Sequence, residues 1–135
     1  ELWAVRIDGE GDVTDTHVLW EETKGIPKKP SPLLHDGLIY VIDDSGVASC
    51  FAAQDGETIW KQRVGGDYSA SPLLAGGHIF FGSHDGKVTV IKSGVEGTVV
   101  AENQLDGKIM ASPAAVADAL ILRTDKAVYK FESGR

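Results

Sequence analysis

Asp8, Glu10, Asp12 and Asp15 crowd a short stretch that also holds Gly9 and Gly11. Carboxylates on a tight glycine-containing turn are the oxygen-rich setting that hard cations such as calcium need. Asp8, Glu10 and Asp12 are therefore the chain's candidate metal ligands. The stretch lacks the bidentate Glu that closes a calcium loop, so the expectation is a polar turn without a metal. Four histidines, His17, His35, His78 and His84, invite a zinc reading, but no pair has zinc spacing backed by cysteine. They are expected at surfaces and edges, with His35 and His84 in turns. Cys50 is the single cysteine, so no intrachain disulfide forms. Ser31, Ser71 and Ser112 each precede a proline. A nucleophile is needed once, whereas a residue written three times serves the fold. No G-x-S-x-G, phosphate-loop or G-x-G-x-x-G fingerprint occurs. The residues thus predict no catalytic group and no cofactor-binding group.

What the serines mark is a repeat. Ser31-Pro32-Leu33-Leu34 returns as Ser71-Pro72-Leu73-Leu74, 40 residues on, and as Ser112-Pro113-Ala114-Ala115 after 41 more. A period near 40 implies one supersecondary unit per copy, stacked on its neighbours. Within a copy, Leu38–Ile42 is rich in β-branched and aromatic residues. Asp43-Asp44-Ser45-Gly46 follows as a turn, then Val47–Ala52, a turn at Gln54–Glu57, and Thr58–Arg63. No apolar run reaches helix length, and Asp/Gly turns punctuate the chain at strand spacing. Four short antiparallel strands per copy is the unit of a β-propeller blade. The fold class expected is all-β, a partial β-propeller of four-stranded antiparallel blades, about three in number.

Gly77–Gly82 aligns with Gly37–Ile42, and Lys87–Lys92 with Val47–Ala52. Gly97 falls 41 residues after Gly56, so one residue is inserted around Ser93–Glu96. A turn tolerates that, whereas a slip inside a strand reverses its faces. Glu1–Asp8 reads as a third strand, with Ala4 opposite Cys50, and Thr16–Glu22 as a fourth, with Trp20 opposite Trp60. Residues 1–135 are expected to form one partial propeller domain. It divides into a half blade at 1–22, blades at 30–64 and 69–104, and an incomplete blade at 109–132. That gives 13 strands, and the chain reads as a piece of a larger ring.

Gly46-Val47-Ala48-Ser49-Cys50-Phe51-Ala52-Ala53-Gln54-Asp55-Gly56-Glu57-Thr58-Ile59-Trp60 resembles the repeat of PQQ-like (quinoprotein-like) β-propellers, G-x-x-Y-A-x-D-x-x-T-G-x-x-x-W. Gly46, Gly56 and Trp60 match; Ser49, Cys50, Ala52 and Asp55 depart from the Tyr, Ala, Asp and Thr positions. The flanking S-P-x-x-x-x-G-x-[IV]-[YF] pattern is present in both full copies. Gly9–Trp20 resembles a string from a late blade of planctomycete-type bacterial members. The resemblance implies that Trp20 and Trp60 dock between blades, largely buried, and that Cys50 is a small buried residue. Ala101 takes the tryptophan place in the next copy, so that junction is expected to pack differently. The resemblance also suggests a periplasmic or extracytoplasmic setting.

Net charge is −7 and pI ≈ 4.9, which speaks against nucleic acid or an anionic membrane as partner. No signal peptide or apolar membrane span is read, and in an excised piece that absence is uninformative. Catalytic PQQ-like members resemble one another in a vicinal cysteine pair, a Glu/Asn calcium shell and an Asp base. One cysteine cannot supply that set, and no cofactor is expected. The expectation is a non-catalytic segment for protein interaction or scaffolding. The alternatives are the non-catalytic portion of a PQQ-dependent dehydrogenase whose active site lies in absent blades, or a carbohydrate- or small-ligand-binding rim with Tyr68 and Gly65–Asp67. The expected partner is a protein, or a second copy through open propeller ends. In a homodimer, Ala111–Val116 and Ala119–Arg123 would join Leu2–Ile7 and Thr16–Glu22 of a neighbour, displacing Ala127–Glu132.

Overall fold

The computed structural model describes residues 1–132. Thirteen strands form four antiparallel sheets, as the repeat implies. The first sheet pairs β1 (Leu2–Val5) with β2 (Val18–Glu22). The second runs β3 (Leu33–His35), β4 (Leu38–Ile42), β5 (Val47–Ala52) and β6 (Thr58–Arg63) in chain order. The third runs β7 (Leu73–Ala75), β8 (His78–Gly82), β9 (Lys87–Lys92) and β10 (Val99–Gln104). The fourth holds β11 (Ala114–Val116), β12 (Ala119–Arg123) and β13 (Val128–Glu132).

One element departs from the sequence reading. Thr16 and His17 do not extend a strand; they close a single helical turn, α1 (Thr14–His17). Asp12 Oδ1 accepts from Thr14 N at 3.1 Å, and Val13 O accepts from Thr16 N and His17 N. The long loop thus satisfies its backbone groups locally instead of adding a sheet partner.

The register repeats from sheet to sheet. Ala4 faces Trp20, Cys50 faces Trp60 and Val90 faces Ala101. Beyond each pair, the pairing skips the residue before the tryptophan place: Leu19, Ile59 and Val100. A β-bulge at one fixed position adds twist to each outer strand, and sequence alignment alone did not reveal it.

Tyr40, Val41, Ile42, Cys50 and Phe51 are all 0% exposed, so the second sheet is covered on both faces. Its Tyr40, Ile42, Ala48, Cys50 and Trp60 pack with Ile79, Phe81 and Ile91 of the third sheet. The third sheet's other face, through Val88 and Val90, packs with Leu122 of the fourth and with Ile109 of the connector. Apolar runs on successive residues are the mark of a strand buried on both sides. Core therefore lies between sheets, not within any one of them.

Candidate functional site

The acidic stretch does not converge. Asp8 Oδ1 lies 3.5 Å from Arg6 Nε and 3.5 Å from His17 Nε2. Asp12 turns to Thr14 N, a hydrogen bond that holds its carboxyl below the usual range. Glu10 is exposed. Among the described residues, no three His, Cys, Asp or Glu side chains are grouped to hold a metal. These carboxylates do not fit the calcium that a quinoprotein site requires. Cys50, without a second cysteine, does not fit that site's vicinal pair either.

The histidines are scattered. His35 ends β3 instead of lying in a turn. His84 does lie in a turn, its Nε2 2.7 Å from Ser69 Oγ. His78 Nδ1 donates to Gly76 O at 2.8 Å. Cys50 is fully buried, and burial pushes its thiol up to about 11. It is an unreactive core group at neutral pH.

Tyr68 does not stand on a rim, contrary to expectation. It is 1% exposed and part of the core between the second and third sheets. Desolvation pushes its phenol up to about 12. A ring held between two sheets offers no face to a sugar. The physical reason is its place in the connector, where its amide donates to Asp44 O and the chain turns inward.

The repeated serines are joined to each other. Ser31 N donates to Ser71 Oγ at 2.9 Å, and Ser71 N donates to Ser112 Oγ at 3.0 Å. The Ser71 and Ser112 hydroxyls thus each accept from the unit before them, which accounts for serine at those two copies.

The tryptophans clasp the following sheet. Trp20 Nε1 donates to Ala53 O at 3.1 Å, and Trp60 Nε1 to Gly94 O at 2.9 Å. Gly56 lies against the Trp20 ring and Gly97 against the Trp60 ring; a Cβ there would sit 2.8 Å and 2.7 Å from ring carbons. Gly94 N also donates to Tyr40 OH at 2.8 Å, so the inserted turn holds both aromatics. The Tyr40 and Trp60 ring centroids are 6.0 Å apart. Trp60 is 8% exposed. Trp20 is only partly buried, contrary to expectation, because the first sheet has no strand carrying a counterpart of Tyr40.

The third junction is built otherwise, as Ala101 implied. Tyr129 and Phe131 of β13 stack at 6.0 Å between centroids. By register they occupy the places of Thr89 and Ile91 in the preceding sheet. Two openings remain there, of about 480 Å³ and 240 Å³, sharing Phe80, Leu120 and Phe131 as walls. A third hollow, about 300 Å³, lies beside Lys108, Met110 and Arg123.

A family profile described as PQQ_2, outer membrane protein assembly factor BamB, matches residues 1–135. The chain belongs to that family. BamB of Salmonella typhimurium is 30% identical over 92 residues, 61% of this chain and 23% of the relative. BamB of Escherichia coli K12 matches to the same extent, 30% over 92 residues. The matched stretch is thus less than a quarter of either curated relative's length, the share for both being 23%. Among solved structures, BamB from Moraxella catarrhalis superposes with a TM-score of 0.57 at 13% identity, covering 84% of this chain and 48% of that one. Quinohemoprotein alcohol dehydrogenase ADHIIG from Pseudomonas putida HK5 gives 0.61 at 19% identity, covering 70% of this chain and 16% of that one. Likenesses at such identity establish the β-propeller fold that an assembly factor and an oxidoreductase share.

Proposed function

We propose that this segment belongs to a non-catalytic propeller that binds protein, in keeping with relatives whose name is assembly factor. One observation carries the reading: the polar groups that the repeat preserves are spent on joining sheets. Ser71, Ser112, Trp20 and Trp60 each bond to a neighbouring unit. What faces outward on the completed sheets is strand edge, with Val99 41% and Val100 47% exposed on β10. Exposed apolar edges of this kind recruit another chain. The stretch 1–132 acts in this reading as one arc of blades, with Gly9–Trp20 part of a late blade of a planctomycete-type relative. Asp8, Glu10 and Asp12 serve as a polar turn.

The test places a photoreactive side chain at Val100 or Leu34 of the parent protein in its own cells. A discrete cross-linked protein, absent when the probe sits at Ile91, supports the reading. In parallel, PQQ with calcium is titrated into the purified chain, with alcohols, sugars and an electron-accepting dye. A saturable visible change or dye reduction would transfer the proposal to the dehydrogenase reading.

Self-association is the second reading, favoured by Trp3, Val5 and Leu19, which are 45%, 41% and 56% exposed on the first sheet. A hybrid blade must displace β13, yet β13 pairs with β12 over its whole length. Light scattering at about twice the 14.4 kDa chain mass supports a homodimer; a clean monomer removes it.

A further inference from the structure

The outermost strands present edges that the register makes comparable. The residue after the tryptophan place is Glu21 on β2, Lys61 on β6 and Glu102 on β10. Two residues further on, Arg63 of β6 has Gln104 as its counterpart on β10. The β6 edge is thus cationic where its neighbours are anionic, in a chain that carries −7. It also has a sheet on either side: Trp20 of the first sheet bonds to Ala53, and Trp60 bonds to Gly94 of the third. Lys61 and Arg63 are exposed, and among the described residues neither stands in an ion pair.

The backbone at the same two residues faces outward. Val64 N donates to Gly46 O at 2.9 Å, which fixes the phase of the β5–β6 ladder. Residues of an antiparallel pair alternate between bonding to the partner strand and facing away from it. Trp60 and Gln62 therefore bond to β5, whereas Lys61 and Arg63 direct N–H and C=O away from it. The bulge at Ile59 ends this regular stretch, so the usable edge is Trp60–Arg63. Lys61 and Arg63 stand two apart, so their side chains share one face. Lys61 Nζ lies over that face, 5.6 Å from the Phe51 ring centroid. Glu22 reaches Lys61 by charge, but Lys24 N and Thr23 N bond its Oε1 and the Lys24 ammonium shares it. Lys61 therefore keeps attraction for a further carboxylate.

From the outward backbone and the sign of the edge together, we infer that β6 takes up an acidic extended segment of a partner protein as a fifth strand of the second sheet. Main-chain bonds at Lys61 and Arg63 hold the segment, and carboxylates two residues apart on it face the two cations. A second copy is a poor occupant. Its β6 edge carries like charge, Glu102 of its β10 is 3.3 Å from Lys87 Nζ, and Thr23 follows Glu21 where a second carboxylate is needed. The inference deepens the protein-binding reading and rests on it. Both cations sit on an exposed edge, so the attraction weakens with salt.

The experiment uses the whole chain, isotope-labelled, with three capped peptides: Thr-Glu-Val-Glu-Val-Thr, the same peptide with both Glu amides N-methylated, and Thr-Lys-Val-Lys-Val-Thr. The plain Glu peptide is expected to shift the amide signals of Lys61 and Arg63 saturably. It should also slow their hydrogen exchange, which is fast in the free chain because both amides face water. The Lys peptide should shift neither signal. The N-methylated peptide keeps the charge but loses the donors, so it should bind more weakly and leave the exchange fast. Lys61→Glu together with Arg63→Glu should reverse the order of the Glu and Lys peptides. Should that variant not fold, the N-methylated peptide and a salt series on the unaltered chain decide. The proposal is overturned by equal shifts from the Glu and Lys peptides, by no saturable shift at Lys61 and Arg63, by equal protection from the N-methylated peptide, or by an order that survives the charge reversal. Protection of both amides that grows with the concentration of the chain alone assigns the edge to a second copy and overturns it as well. The titration reads the β6 edge whether or not a cell supplies a partner, and the cross-linking at Val100 or Leu34 reads the partner whether or not β6 binds. Failure of one is thus distinct from failure of the other.

Discussion

Ser31 and Ser71 are bonded across two sheets, backbone N–H to side-chain Oγ at 2.9 Å. Ser71 repeats the donation to Ser112 at 3.0 Å, so one residue type serves as donor backbone and acceptor side chain in turn. Ser71→Ala removes one acceptor and leaves the Ser31 amide near water. The expected loss is about 1 kcal/mol or less, since an exposed amide regains a water partner. Urea unfolding of the single variants and of Ser71→Ala with Ser112→Ala checks this. The two bonds share no atom, so the costs should add closely.

Trp60 and Trp20 hold equivalent places but unequal surroundings. Trp60→Ala removes a buried ring and leaves Gly94 O without its donor, and should cost about 3–5 kcal/mol. Trp20→Ala should cost clearly less, because Trp20 remains partly exposed. Equal losses by calorimetry or urea would mean that burial does not decide the difference.

Gly97 separates two effects. Its φ is +63°, and an added Cβ would meet Trp60 at 2.7 Å. Gly37 has φ +72° with nothing within 4 Å. Gly37→Ala should cost about 1–2 kcal/mol, the left-handed penalty alone. Gly97→Ala should cost more, and the excess should vanish when Trp60 is already alanine. A double-mutant cycle reads the excess directly; an undiminished excess would place the clash elsewhere.

Strand number and sheet order were legible because the 40-residue period and the Asp/Gly turns are local signals. The tryptophan places were legible for the same reason: Trp20 and Trp60 stand at one spacing from Ser31 and Ser71. Tyr68 was not, because a connector residue has no strand periodicity and its burial depends on two sheets meeting over it. The bond from Gly94 N to Tyr40 OH spans 54 residues, and nothing local to either residue announces it. The turn α1 escaped because Asp12 and Val13 satisfy backbone groups that a strand reading leaves free. The acidic stretch looked like a site for the opposite reason: its composition suits calcium, but Asp8 and Asp12 already have local partners and Glu10 is exposed.

Cys50 and Tyr68 make the fold sensitive to alkali. The thiol is pushed from 9.0 up to about 11, and the phenol from 10.0 up to about 12, in both cases chiefly by burial. The folded chain therefore holds protons that the unfolded chain releases first. Stability from Cys50 is fully present below pH about 9 and is lost as pH rises toward about 11. Tyr68 adds a second loss between about 10 and about 12. The urea midpoint should accordingly be flat from pH 7 to 9 and fall above it. Cys50→Ala should delay the onset of the fall by removing the earlier group, at the cost of a small cavity. Iodoacetamide at pH 8 should leave the folded chain unmodified and alkylate it fully in denaturant. Rapid alkylation of the folded chain at pH 8 would show that Cys50 reaches solvent and that its burial does not govern the alkaline transition.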